Sequence, residues 1–162
     1  RKRKKMSAIK IDKLRTVCFT GHRILPGDFN VDEVEKAVYK AINDNFDTFL
    51  VGMAIGFDSL CFRVLEGVRL SKDIKIIACV PCSDQSEFFN KKQKKEYDRM
   101  IKEADEVITL GEKYQSGCMQ KRNAFMVDNS SRLIAYLRIK GGGTYSTVKY
   151  AVEQGLEVEY IK

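Results

Sequence analysis

Short apolar runs alternate along the chain with segments in which apolar residues recur every three or four positions. The runs cover residues 16–20, 49–53, 74–80, 107–110, 133–137 and 158–161. They are apolar on both faces, which is typical of strands buried in a parallel sheet. Segments with the helical spacing lie at residues 31–43, 58–70, 85–103, 117–127 and 144–154. In the first of these, Val31, Val34, Val38 and Ile42 form one apolar face.

Alternating strands and helices predict an α/β fold of the Rossmann-like kind: a doubly wound, mostly parallel sheet with helices on both faces. The 162 residues are enough for one substantial core but too few for two ordinary domains. We therefore expect a single domain over residues 7–162.

Glycines cluster where the predicted strands end. Gly21 ends the first strand, Gly52 and Gly56 surround the end of the second, and 141–143, all glycine, follow the fifth. In a doubly wound sheet these loops meet at the carboxyl edge, where ligands bind. Glycine lets the backbone approach a phosphate closely, and the helix that follows offers free N–H groups. The pattern predicts a ligand that carries phosphate.

The first loop contains two candidate side chains, His22 and Arg23. The guanidinium of Arg23 offers a planar fork of donors for a phosphate or ribose. His22 is the only histidine in the chain, which excludes a multi-histidine metal site. His22 either contacts the ligand or holds the loop in place by hydrogen bonds.

Three further side chains have both a structural and a ligand-binding interpretation. Asp58, at a predicted helix start, either caps the helix and complements its dipole or binds a ribose or base. Asn123 lies on an apolar stripe with Met119 and Met126, so its amide needs a partner, either a loop or the ligand. Arg122 is either a surface residue or a second phosphate ligand.

The strongest local signal is the segment from Gly141 to Thr147. Three glycines before a helix form a set of backbone donors suited to an anion. The alternative is a flexible turn in which Thr144 caps the helix, although ordering three consecutive glycines costs much conformational entropy.

The net charge of +7 is concentrated at the start of the chain, where residues 1–5 are all basic. We interpret residues 1–6 as a basic tail, either a cloning remnant or the end of a preceding segment, and the rest of the chain as nearly neutral. A nucleic-acid partner is therefore not expected. No apolar run is long enough for a membrane helix, and no secretory signal is recognised, so we expect a cytoplasmic protein without a membrane partner.

The five cysteines are an odd set within apolar stretches, typical of buried thiols in a reducing compartment. Cys79 and Cys82 have the spacing of a redox pair, but Cys79 falls in a predicted strand rather than at an exposed helix start. Neither a redox role nor a metal site is expected, and no cofactor is required.

Taken in order, the loops resemble the YpsA-like family of the SLOG superfamily of nucleotide-binding domains. The resemblance runs from Thr16 to Ile161. It rests on the following motifs: residues 18–23 (CFTGHR), 52–58 (GMAIGFD), Pro81-Cys82 with Gln85, Tyr114, Cys118-Met119, Arg122-Asn123, Met126-Val127-Asp128, and Gly142-Gly143-Thr144 with Thr147. It implies binding of a nucleotide-derived ligand of the ADP-ribose or NAD kind by a bacterial or phage-type protein, and a homodimer.

The superfamily also includes the Lonely Guy phosphoribohydrolases, whose last loop ends in a catalytic glutamate. Aligning on Gly143-Thr144 places Thr147 at the position of that glutamate. Threonine cannot act as a carboxylate. The resemblance therefore implies binding and does not settle whether a reaction is catalysed, while the replaced glutamate argues against hydrolysis.

The predicted ligand-binding residues are Thr20, Gly21, His22, Arg23, Gly52, Ala54, Gly56, Phe57, Asp58, Gln85, Arg122, Asn123, Asp128, Gly141, Gly142, Gly143, Thr144 and Thr147. We expect a sensor or regulatory domain. One alternative is an N-glycosidase acting on nucleoside monophosphates through Asp58, Glu87 or Asp128. The other is a single-stranded DNA-binding module.

Overall fold

The computed structural model describes residues 10–162. Within them lie six strands, five α-helices and a short 3₁₀ helix at Lys13–Arg15. The strands are β1 (Thr16–Gly21), β2 (Thr48–Val51), β3 (Lys75–Val80), β4 (Glu106–Thr109), β5 (Arg132–Tyr136) and β6 (Glu157–Tyr160). The helices are α1 (Val31–Asn43), α2 (Phe57–Arg69), α3 (Lys91–Glu103), α4 (Cys118–Asp128) and α5 (Gly142–Glu153).

All six strands are parallel and form one sheet in the order β4-β3-β2-β1-β5-β6. Side chains alternate across it: Phe19 packs with helices α1 to α3 on one face, and Cys18 packs with α4 and α5 on the other. Every residue of β1 except Gly21 is buried, as the apolar run predicted. The Rossmann-like fold is confirmed.

Strand β1 is where the order of the sheet reverses. It pairs with β2 on one side and β5 on the other, so that Cys18 lies between Leu50 and Leu133. The chain leaves β1 toward α1 on one face and leaves β5 toward α5 on the opposite face. The two loops therefore diverge, and a crevice opens between them at the carboxyl edge of the sheet.

The predicted strands and four of the predicted helices agree with the structure to within two residues at each end. The third helix was predicted too long: it begins at Lys91, and residues 85–89 form turns. Asn90 accepts a hydrogen bond from the Gln93 backbone N–H (2.8 Å), and Gln93 Oε1 accepts one from the Asn90 N–H (3.0 Å). This capping box fixes the start of α3.

The interpretation of residues 1–6 as a tail lies outside the described residues. Among residues 10–162, no helix combines the length and apolarity needed to cross a membrane.

Candidate functional site

A cavity of about 290 Å³, called the first cavity from here on, lies in the crevice beside β1. Twelve of the predicted site residues line it: Thr20, Gly21, His22, Arg23, Ala54, Asp58, Arg122, Asn123, Gly141, Gly142, Gly143 and Thr144. Phe19, Met119 and Ile139 complete the lining. The structure thus brings residues from four separate loops and helices to one place.

The Arg122 guanidinium is buried at the floor of this cavity, with 4% of the residue exposed. Its Nη1 donates to the carbonyl of Gly52 and, at 3.4 Å, to that of Cys79. Its Nε donates to Asn123 Oδ1 at 2.8 Å. Arg122 is therefore not a surface residue. It ties α4 to the ends of β2 and β3 and supplies the partner that the Asn123 amide required.

Asp58 lies next to this guanidinium, across Gly52. A Cβ on Gly52 would fall 2.7 Å from Arg122 Nη1 and 3.0 Å from Asp58 Oδ2, so only glycine leaves room for both groups. Burial raises the pKa of the Asp58 carboxyl, while the nearby Arg122 and Arg23 oppose the rise. Burial likewise lowers the pKa of Arg122, and Asp58 opposes that change.

Asp58 does not cap the helix in which it lies. The N-cap of α2 is Gly56, and Asp58 Oδ2 accepts a hydrogen bond from the Ala54 N–H at 3.1 Å. The carboxylate still complements the helix dipole, because it lies in the first turn. Its main structural effect is to hold the loop between β2 and α2.

The Arg23 guanidinium lines the cavity and is exposed. Within residues 10–162, it makes neither a hydrogen bond nor an ion pair, although Asp58 and Arg122 both lie within its electrostatic reach. The cavity therefore has two guanidinium groups and one carboxylate in its lining, and the charge balance favours an anion.

His22 holds two loops together. Its Nε2 accepts a hydrogen bond from the Arg138 N–H at 2.9 Å, and its carbonyl accepts one from the Phe57 N–H at 3.0 Å. The expectation that His22 fixes the loop by hydrogen bonding is confirmed. The residue nevertheless belongs to the cavity lining.

The glycine segment forms the start of α5. Gly141 is the N-cap with φ +93°, and Gly142 is the first helical residue with φ +83°. The alternative in which Thr144 caps the helix is wrong, because Thr144 lies within the first turn. The N–H groups of that turn have no intrahelical acceptor and point out of the helix end that lines the cavity.

Four predicted residues lie behind the lining rather than in it. Phe57 is fully buried, and its ring occupies the space beside Gly21: a Cβ there would be 2.3 Å from it. Gly56 packs on the backbone of Arg23, and Gly52 separates Arg122 from Asp58. Gln85 donates to the Gly52 carbonyl (3.1 Å) and accepts from the Tyr97 hydroxyl (3.0 Å). These residues shape the loops that the lining residues occupy.

Thr147 and Asp128 are not brought to the cavity. The Thr147 hydroxyl donates to the Gly143 carbonyl at 2.8 Å. The residue lines an adjoining cavity of about 220 Å³ between α4 and α5, which shares Asn123 and Gly143 with the first. Asp128, at the end of α4, accepts from the Tyr150 hydroxyl at 2.6 Å. Glu87 is exposed and outside the lining. Among residues 10–162, Asp58 is thus the only residue with a carboxylate that lines the first cavity.

Sequence reasoning missed three lining residues, Phe19, Met119 and Ile139, and one strained position, Met53. Met119 was noted only as part of an apolar stripe, yet its Sδ lies 3.8 Å from Arg122 Nη2. Ile139 is 63% exposed, a signal visible only in the structure. Met53 adopts φ +66°, a left-handed conformation unusual for methionine, in the loop that presents Ala54 to Asp58.

Cys79 and Cys82 are both buried, and burial raises the pKa of each thiol to about 12. A thiol with so high a pKa forms little thiolate at neutral pH.

Comparison with known proteins gives a family match. The YpsA family model, described as the YspA SLOG family, matches residues 31–160. The uncharacterized SPbeta prophage-derived protein YoqJ of Bacillus subtilis (strain 168) is 31% identical over 123 residues, which cover 67% of this chain and 71% of YoqJ.

Two solved structures share the fold. DNA processing protein A (DprA) of Streptococcus pneumoniae has a TM-score of 0.65 at 20% identity over 91% of this chain. DNA processing protein A of Helicobacter pylori, a structure that addresses its single-stranded DNA binding mode, has a TM-score of 0.66 at 18% identity over 90% of this chain. The chain spans 50% and 64% of these two proteins.

Proposed function

Because the chain belongs to the YpsA family of SLOG domains, we propose that its first cavity binds a nucleotide-derived ligand. The ligand is either a molecule of the ADP-ribose or NAD kind or a nucleoside phosphate. The observation that carries the proposal is the exposed Arg23 guanidinium, free of protein partners within residues 10–162, in the same cavity as the start of α5. Both are phosphate-binding elements by their chemistry. We propose a sensor or regulatory role in a cytoplasmic homodimer.

The remaining polar groups suit the sugar of such a ligand. Asp58 Oδ2 is held by the Ala54 N–H and is only 7% exposed, so it meets a ligand hydroxyl as a fixed acceptor. Asn123 Oδ1 is occupied by Arg122, which leaves its NH₂ group as a donor. Arg122 acts mainly as a buried positive charge, which donates to Asn123 and lies close to the Asp58 carboxylate.

Hydrolysis of an N-glycosidic bond is not part of this proposal. It requires an anionic group beside the sugar carbon and an acid for the departing base. Asp58 is the only carboxylate lining the cavity among residues 10–162, and it has no second carboxylate to share the two roles. We expect negligible release of adenine from AMP. A glutamate at position 147 would face the neighbouring cavity between α4 and α5.

Binding of single-stranded DNA is the second candidate, favoured by the shared fold with the Helicobacter pylori protein. Single-strand binding rests on phosphate contacts made by cations, and it weakens steeply with salt. Arg23 and the lysines of α3 are exposed cations. Of these lysines, Lys92 lines a cavity together with Leu25, two residues after Arg23.

Titration calorimetry with ADP-ribose, NAD, AMP, adenosine and a single-stranded oligonucleotide tests the proposal. We expect ADP-ribose or a nucleotide to bind, and Arg23→Ala to weaken the phosphorylated ligand by roughly 1.5–3 kcal/mol without a matching loss for adenosine. Lys72→Ala, which removes an exposed charge before β3, is the control. Salt-dependent binding of the oligonucleotide with no nucleotide binding would contradict the proposal and favour the DNA-binding alternative.

A further inference from the structure

A second cavity, of about 300 Å³, lies beside the first, between α2, α3 and the loop that follows β1. Its walls are mainly apolar and include Leu25, Ile55, Phe89, Tyr97 and Met100. Phe89 and Tyr97 pack edge to face, with ring centroids 5.6 Å apart. This surface is suited to a flat, weakly polar group such as a nucleotide base.

Only a thin backbone wall separates the two cavities. In the loop after β1, Arg23 lines the first cavity and Leu25 lines the second. In the loop after β2, Ala54 lines the first, whereas Ile55 and Gly56 line the second. The loops touch where Gly56 meets Arg23: a Cβ on Gly56 would lie 2.2 Å from the Arg23 carbonyl oxygen. A ligand that occupies both cavities therefore has to pass over the rim that Arg23 and Gly56 form between them.

Most polar groups of the second cavity are already engaged. The Glu96 carboxylate pairs with Arg99 at 2.8 Å and with Arg63 at 3.5 Å. The Ser59 hydroxyl donates to the Ala54 carbonyl at 3.0 Å. Within residues 10–162, the Lys92 ammonium makes no hydrogen bond or ion pair, so it is available to donate to a ring nitrogen or carbonyl of a base.

We propose that the second cavity is a base-binding pocket and that the ligand is of the dinucleotide type: a base in the second cavity, a diphosphate over Arg23, and a sugar in the first. The inference rests on the proposed function and narrows its ligand class. Each cavity alone is at or below the lower end of the roughly 300–1,000 Å³ usual for ligand pockets, which is small for such a ligand, whereas the two together accommodate one.

The test compares ribose 5-phosphate, which reaches only the first cavity, with ADP-ribose, which reaches both. We expect ADP-ribose to bind the wild-type chain at least about tenfold more tightly. Ile55→Trp, which fills the second cavity, should reduce the affinity for ADP-ribose to that for ribose 5-phosphate and leave ribose 5-phosphate unaffected. Leu70→Trp, at the exposed end of α2, adds the same side chain away from the cavity and should change neither.

A second pair of variants tests the same pocket in case Ile55→Trp fails to fold. Lys92→Ala should weaken ADP-ribose by about three- to tenfold, and Lys95→Ala, on the same helix but outside the lining, should not. Equal affinity of the wild type for the two ligands, or an unchanged ADP-ribose affinity in both Ile55→Trp and Lys92→Ala, would overturn the base pocket while the first cavity remains a phosphate site. Absence of binding by either ligand would overturn the proposed function together with this inference.

Discussion

The glycines around the cavity differ in what they make possible, residue by residue. Gly21, Gly52 and Gly56 each face an atom closer than a Cβ could tolerate: the Phe57 ring, the Arg122 guanidinium and the Arg23 backbone. Gly141, Gly142 and Gly143 instead face open space. The first group therefore maintains the packing of the loops, and the second leaves the cavity free.

Gly56 should be the position least tolerant of a side chain. Gly56→Ala forces a methyl group against backbone at 2.2 Å and places alanine at φ +82°. Overpacking costs about 1–3 kcal/mol and the left-handed conformation about 1–2 kcal/mol, so we expect a loss near 3 kcal/mol in the free energy of unfolding. Gly67→Ala is the matched control. It lies within α2 with nothing inside 4 Å and should stabilise the protein by about 0.5–1 kcal/mol in urea unfolding.

Replacing each of the two arginines of the cavity should have a different effect on the free energy of unfolding. Arg122→Ala leaves the Cys79 carbonyl and the buried Asp58 carboxylate less compensated, so the free energy of unfolding should fall by about 2 kcal/mol or more. Arg23→Ala removes an exposed side chain without protein partners and should change it by less than about 0.5 kcal/mol. Equal losses in thermal or urea unfolding would mean that Arg23 has a structural role after all.

The side-chain contacts of the site could be predicted only in part. Strand-end glycines and Arg23 follow from the chain itself, because parallel strands bring their carboxyl ends together. The role of Arg122 was ambiguous, because helix periodicity places it on one face of α4 but does not show what that face contacts. In the structure it contacts the carbonyls of Gly52 and Cys79. Thr147 faces α4, and this orientation depends on how α4 and α5 pack. No local sequence pattern encodes that packing.

At the scale of elements, α3 shows how a local signal can be outweighed. Phe89 continues the apolar face of Tyr97 and Met100 toward the N-terminus, and the predicted helix began at residue 85. The helix nevertheless starts at Lys91, because the Asn90–Gln93 capping box fixes its first turn there. The asparagine followed three positions later by glutamine was the signal in the sequence. The shorter helix leaves Gln85 free to bond the Gly52 carbonyl at the site.

Removing this cap should destabilise the protein without affecting the first cavity. Asn90→Ala loses the acceptor for the Gln93 N–H and should lower the free energy of unfolding by about 1 kcal/mol. Lys91→Ala, one residue further and exposed, should have little effect. An unchanged stability in Asn90→Ala, measured by urea unfolding, would mean that α3 is held by its packing alone.

At the scale of the whole molecule, the position of the site follows from the sheet order. Because β1 lies between β2 and β5, its loop and the loop after β5 leave toward opposite faces, and the crevice between them is where the cavity forms. The alternation of apolar runs was enough to predict this architecture. The homodimer stays a prediction, which light scattering at micromolar concentrations tests.

The central claim, that a nucleotide-derived ligand binds against the start of α5, is tested most directly by calorimetry of ADP-ribose with two valine variants. Gly142→Val and Gly155→Val place the same side chain at φ +83° and +84°, both with open space around them, but only Gly142 lines the cavity. The backbone strain, about 1–2 kcal/mol, is therefore matched. We predict that the wild type and Gly155→Val bind ADP-ribose with the same Kd and that Gly142→Val does not bind it. Equal affinity of all three proteins, or no binding by the wild type, would contradict the account.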